Sequence, residues 1–217
     1  MMTALNSHEK IKAVLLATAL GVLLCFFLPF THFLYVEGVS PYFGKVTSLK
    51  FSLFPILAIG LYFTLNPSWK WSSKGLSFLL YSTPFPVMLA FLYGRLTSIF
   101  EGELLEASTY YWYVVCIPIG EEFLFRGWVF EIFERRFPEK ILLRTVPFSV
   151  TLWITSLLFS LWHFQNLGRN PFGLVLIQVV YTFFTGFWLG QIRLRAGNPI
   201  PSCIAHSLLN LASLCFY

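Results

Sequence analysis

Seven stretches of the chain run without a single Asp, Glu, Lys or Arg: Ala13–Val36, Phe51–Trp69, Gly75–Gly94, Ala107–Gly120, Thr145–Gly168, Asn170–Ile192 and Ala196–Tyr217. A helix needs about 20 apolar residues to span the hydrocarbon core of a bilayer. Six of the seven reach 19 residues or more, and the fourth is 14 long. The fourth can span only by carrying Glu121, Glu122 and Arg126 into the membrane and continuing toward Phe133. The pattern predicts about seven transmembrane helices, within a range of six to eight. The third, with Pro84 and Pro86, is expected to kink or break, because proline removes a helical hydrogen bond.

Composition strengthens this picture. Of the 217 residues 57% are hydrophobic and 12% charged, against about 25% charged in soluble domains. Mean hydropathy is +0.70. So much apolar surface in so short a chain must face lipid, and the expected class is an all-α integral membrane protein. It forms one membrane domain, with N-terminal helices over residues 1–106 and a core over 107–217.

The net charge of +5 does not imply nucleic acid, because the basic residues fall in short clusters between apolar runs, the pattern of loops beside a membrane. With the N-terminus cytoplasmic, the inner segments hold ten basic residues: Lys10, Lys12, Lys70, Lys74, Arg135, Arg136, Lys140, Arg144, Arg193 and Arg195. The outer loops hold four: Lys45, Lys50, Arg95 and Arg169. The positive-inside rule therefore favours N-in. The run after Lys12 is too long for a signal-peptide core and reads as a retained first helix.

The four cysteines, Cys25, Cys116, Cys203 and Cys215, all lie in apolar runs without a C-x-x-C pair. They read as small buried hydrophobes. Cys215 is third from the end, where prenylation needs the fourth, so the chain is not expected to be a prenylation substrate itself.

Chemistry concentrates in a few positions. A charge at mid-membrane costs at least about 2.5–3.5 kcal/mol, yet Glu121, Glu122 and Arg126 fall within six residues. Glu122 and Arg126 are i and i+4 and can pair. Glu121 points about 100° away and has no local partner, which marks it as a site candidate. Of the four histidines, His8 is in the polar N-terminal tail and His32 near the end of the first span. His163 and His206 lie in the fifth and seventh runs. Phe159 and His163 share a helix face, as do His206 and Asn210. The second pair could form an oxyanion hole or an interhelical hydrogen-bond clamp. Signatures of soluble enzymes are missing: Lys12 occupies the place of the second His in a zincin helix, and no G-x-S-x-G or P-loop is present.

Together these residues resemble the CPBP family, which includes the type II CAAX prenyl endopeptidases and the bacteriocin-processing (ABI) proteins. E-E-x-x-x-R matches Glu121, Glu122 and Arg126; F-x-x-x-H matches Phe159 and His163; H-x-x-x-N matches His206 and Asn210. The run from Gly186 to Pro201 is also similar. The resemblance covers roughly residues 107 to 215. It implies an intramembrane endopeptidase in which Glu121, assisted by His163, activates water while His206 and Asn210 stabilise the oxyanion. Glu122 and Arg126 would support the site and Phe159 would wall it.

The substrate would be a membrane-associated peptide or protein: a CAAX-type C-terminus, a sorting signal or a leader peptide. Membrane lipid is the other expected partner, in a bacterial inner membrane. Glu121, His163 and His206 could instead hold a zinc with water in the fourth position. The Asn beside His206 suits an oxyanion donor better, so a metal-free site is favoured. The competing function is a non-enzymatic membrane scaffold or bacteriocin-immunity protein, in which the polar cluster only packs helices.

Overall fold

A computed structural model describes residues 43–65, 70–101, 112–138, 140–143, 146–168 and 170–215. The first expected span, with His8, Cys25 and His32, lies outside the described residues. The elements in chain order are α1 (Phe43–Thr64), α2 (Ser73–Ser82), α3 (Pro84–Glu101), a π-helical turn (Trp112–Cys116), α4 (Ile117–Glu122), a second π-helical turn (Phe123–Val129) and α5 (Phe130–Arg136). Strands β1 (Lys140–Leu143) and β2 (Val146–Ser149) follow, then α6 (Val150–Trp162), a 3₁₀ turn (His163–Asn166), α7 (Phe172–Ala196) and α8 (Ile200–Leu214). The described residues are thus mainly helical, with a short antiparallel ladder, Lys140 opposite Ser149 through Leu143 opposite Val146.

Among the described residues, α7 is long and apolar enough to cross a membrane by itself. Helices α2 and α3 pass the same measure as a pair bent by 51°. The break falls at Thr83 and Pro84, as the prolines of the third run lead one to expect. Phe54–Thr64 and α8 are apolar but shorter.

The fifth apolar run departs from expectation. It is α-helical over only 13 residues, Val150–Trp162. Val146–Ser149 is extended and paired with β1, and Ser149 caps α6 by accepting from the Leu152 N–H at 3.2 Å, so the helix begins where the strand ends. At the other end the chain tightens into the 3₁₀ turn, so His163 caps the helix and does not sit inside it.

The helices fall into two compact units. One contains residues 45–128 and 187–217, the other residues 129–186. In the first, α8 packs against α2, α3 and α4. Leu79, Leu189, Ile192 and Ala205 form its apolar centre, flanked by Phe78 and Trp188. Helices α3 and α8 touch backbone to backbone, because a Cβ on Gly94 would stand 2.0 Å from the Ser213 carbonyl oxygen. The corner between α7 and α8 turns at Gly197, whose φ of 82° is left-handed and typical of a helix end. Asn198 is fully buried there and donates to the Lys70 carbonyl at 2.8 Å. Its Oδ1 accepts from the Ile200 N–H at 3.0 Å, and the Ser72 N–H bonds the Ala196 carbonyl at 3.0 Å. The start of α8 is thereby tied to the segment before α2.

In the second unit α5 packs on α6. Ser160 donates to the Val179 carbonyl at 2.9 Å, and Asn166 to Gln178 Oε1 at 2.8 Å. Buried hydroxyls of α6 are satisfied by its own backbone, Thr155 bonding Thr151 O at 2.8 Å and Ser156 bonding Leu152 O at 2.6 Å.

Candidate active site

The acidic pair sits on α4, with Arg126 in the π-helical turn that follows. Such turns, bonded i to i+5, recur at functional sites. Tyr62 of α1 is fully buried against this turn. Its ring meets Phe123 edge-on at 5.6 Å, and a Cβ on Gly127 would stand 2.9 Å from it. Gly127 therefore lets α1 close onto the helix that carries the charges.

Glu122 and Arg126 pair as their spacing predicts, Nη1 to Oε1 at 2.9 Å with both side chains fully buried. The sequence does not reveal the third partner. His206 of α8 places Nδ1 3.0 Å from the same Oε1 of Glu122. Its Nε2 lies 3.9 Å from Glu121 Oε2. Glu121, expected to lack a local partner, thus has an imidazole beside it. Because an ionised carboxylate only accepts, Nδ1 of His206 carries the hydrogen, and a neutral ring keeps its lone pair on Nε2. Glu122 Oε2 is buried with no hydrogen-bond partner among the described residues.

Asn210 lies one turn beyond His206, half-buried, and its Nδ2 donates to the Tyr113 carbonyl at 2.8 Å. This is the interhelical clamp weighed for that pair. It uses one of the two amide hydrogens.

Phe159 and His163 meet as expected from their spacing, ring centroids 5.0 Å apart and edge to face. His163 is buried and its Nδ1 donates to the Phe159 carbonyl at 2.8 Å. That bond again leaves the lone pair of a neutral ring on Nε2.

Two arginines counted above among the inner segments have specific partners. Both Arg193 and Arg195 are in the last turns of α7. Arg193 is buried and donates from Nε to the Arg126 carbonyl at 2.8 Å. Arg195 bonds the Gln191 carbonyl at 3.2 Å and sets its guanidinium 3.9 Å over the Phe78 ring, a cation–π contact. Neither is a simple loop charge, because each finds its partners within the helical packing.

Among the described residues, no three His, Cys, Asp or Glu side chains are placed to hold one metal ion. Nδ1 of His206 is already committed to Glu122.

The chain matches no curated protein and no solved structure. A family model described as type II CAAX prenyl endopeptidase, Rce1-like, matches residues 103–212. The match takes in the acidic pair, both buried imidazoles and Asn210, and it covers half of the chain. The chain therefore belongs to the Rce1-like type II CAAX prenyl endopeptidase family, a family of membrane-embedded proteases.

Proposed function

We propose that the protein hydrolyses a peptide bond in a membrane-associated substrate at a metal-free site built on Glu121, His163, His206 and Asn210. About seven helices would enclose a polar cavity within the bilayer, with the N-terminus cytoplasmic. The observation that carries the reading is the division of labour in the acidic pair. Glu122 is committed to Arg126 and to Nδ1 of His206, and Nε2 of the same imidazole stands 3.9 Å from Glu121, the carboxylate we assign to water.

In this reading Glu121 takes a proton from water as its oxygen attacks the scissile carbonyl carbon, with Nε2 of His163 as the second acceptor at that water. The carbonyl oxygen becomes an oxyanion. Asn210 offers its second amide hydrogen to it, and His206 offers Nε2–H as an imidazolium held against Glu122. Collapse of the intermediate breaks the C–N bond, and the proton held by Glu121 passes to the leaving amine. Donors fixed in a low-dielectric site are strong at this task. The substrate would be a CAAX-type C-terminus, a sorting signal or a leader peptide presented from the membrane.

The test is cleavage of membrane-reconstituted peptides by the purified full chain. Glu121→Ala and His163→Ala should each lower kcat by about 100–10,000-fold while the protein stays folded. Wild-type cleavage by both variants would sink the assignment and favour a packing role for the polar cluster.

A further inference from the structure

The π-helical turn Phe123–Val129 is a rare backbone arrangement that recurs at functional sites. The Arg126 carbonyl lies inside this turn and accepts a hydrogen bond from Arg193 Nε at 2.8 Å. Arg193 comes from α7, 67 residues along the chain. Both arginines are buried, where a guanidinium is costly unless it is well bonded. Arg193 thus directs a charge-assisted donor at the main chain of the residue whose side chain holds Glu122 at 2.9 Å. Glu122 in turn holds His206 at 3.0 Å.

We propose that Arg193 is a positioning residue for catalysis. It fixes the register of the π-helical turn and so sets where Arg126, Glu122 and finally the His206 imidazole stand. Arg193 acts through the Arg126 backbone. The inference rests on the peptidase reading for its kinetic consequence, while its geometric consequence at His206 stands apart from any activity. A methionine in its place would keep much of the stem volume and lose the donor. A lysine would keep a cationic donor on a flexible stem.

The experiment uses the full chain in lipid nanodiscs, with ¹⁵N-histidine labelling and His206→Asn to assign the His206 signals. Arg193→Met is expected to move the His206 ring signals and lower kcat by about 100-fold, as a small misplacement can, with KM unchanged. Arg193→Lys is expected to restore most of kcat and the wild-type His206 signals together. Unmoved His206 signals in Arg193→Met overturn the proposal, whatever happens to the rate. So does a loss of rate in Arg193→Lys with those signals in place, the deciding result if the methionine variant does not fold. If Glu121→Ala cleaves like wild type, the peptidase reading fails, and the His206 signals of the Arg193 variants still decide whether Arg193 positions the network.

Discussion

His206 stands between two adjacent glutamates, with Nδ1 3.0 Å from Glu122 and Nε2 3.9 Å from Glu121. One imidazole thus joins the buried ion pair to the carboxylate proposed to act on water. Two neighbouring acidic residues facing the same ring from different sides need not do the same work. In the proposed mechanism Glu122 supplies orientation and charge balance, and Glu121 acts on water.

This division predicts that Glu122 and Arg126 matter first for stability. Glu122→Ala leaves the fully buried Arg126 without its carboxylate, and Arg126→Met leaves Glu122 without its guanidinium. Each should destabilise the fold by about 3–5 kcal/mol, the usual cost of breaking a buried pair from one side. The double substitution Glu122→Leu with Arg126→Met should recover much of that stability and remain inactive. Denaturant unfolding in detergent measures the first effect and peptide cleavage the second. Additive losses in the double variant would mean that the two side chains are not coupled.

Asn210 is expected to serve two purposes, and they separate by magnitude. Losing its bond to the Tyr113 carbonyl should cost about 0.6–2 kcal/mol of stability, as for other interhelical hydrogen bonds in membranes. Losing an oxyanion donor should cost about 100–1000-fold in kcat. Asn210→Ala should show both. A stability loss with a normal rate would assign Asn210 to the clamp alone.

Two helical glycines should respond to alanine with opposite signs. A Cβ on Gly60 meets nothing within 4 Å, so Gly60→Ala should stabilise α1 by about 0.5–1 kcal/mol through helix propensity. At Gly94 the same methyl would collide with the Ser213 backbone, forcing α3 from α8. Gly94→Ala should lower the melting temperature and impair cleavage, because α8 carries His206 and Asn210. Equal melting temperatures for the two variants would contradict that packing.

A metal-free mechanism predicts that dialysis against a strong chelator leaves cleavage unchanged and that metal analysis of the active protein finds no stoichiometric zinc. Loss of activity restored by added zinc would reject it.

The candidate site residues were legible in the sequence because charge is so costly inside an apolar run that Glu121, Glu122 and Arg126 stand out, and because i, i+4 spacing pairs Glu122 with Arg126 and Phe159 with His163. The break before Pro84 was legible for a similar local reason. What escaped is tertiary. Counting charge-free residues cannot separate a 24-residue span from a strand followed by a 13-residue helix, the arrangement of Thr145–Gly168. Arg193 looked like a loop charge because its partner is a backbone carbonyl, which has no sequence signature. The bond from His206 to Glu122 is equally silent, since it joins residues 84 positions apart.

The contact of Gly94 with Ser213 has a consequence for protein engineering. The family match begins at residue 103, yet the helix bearing His206 leans on a backbone surface contributed by residue 94, and its first turn is fastened to Lys70. A gene fragment cut at the homology boundary would deprive that helix of its neighbour. Grafting, truncation or chimera-building should therefore take its upstream crossover from before α2.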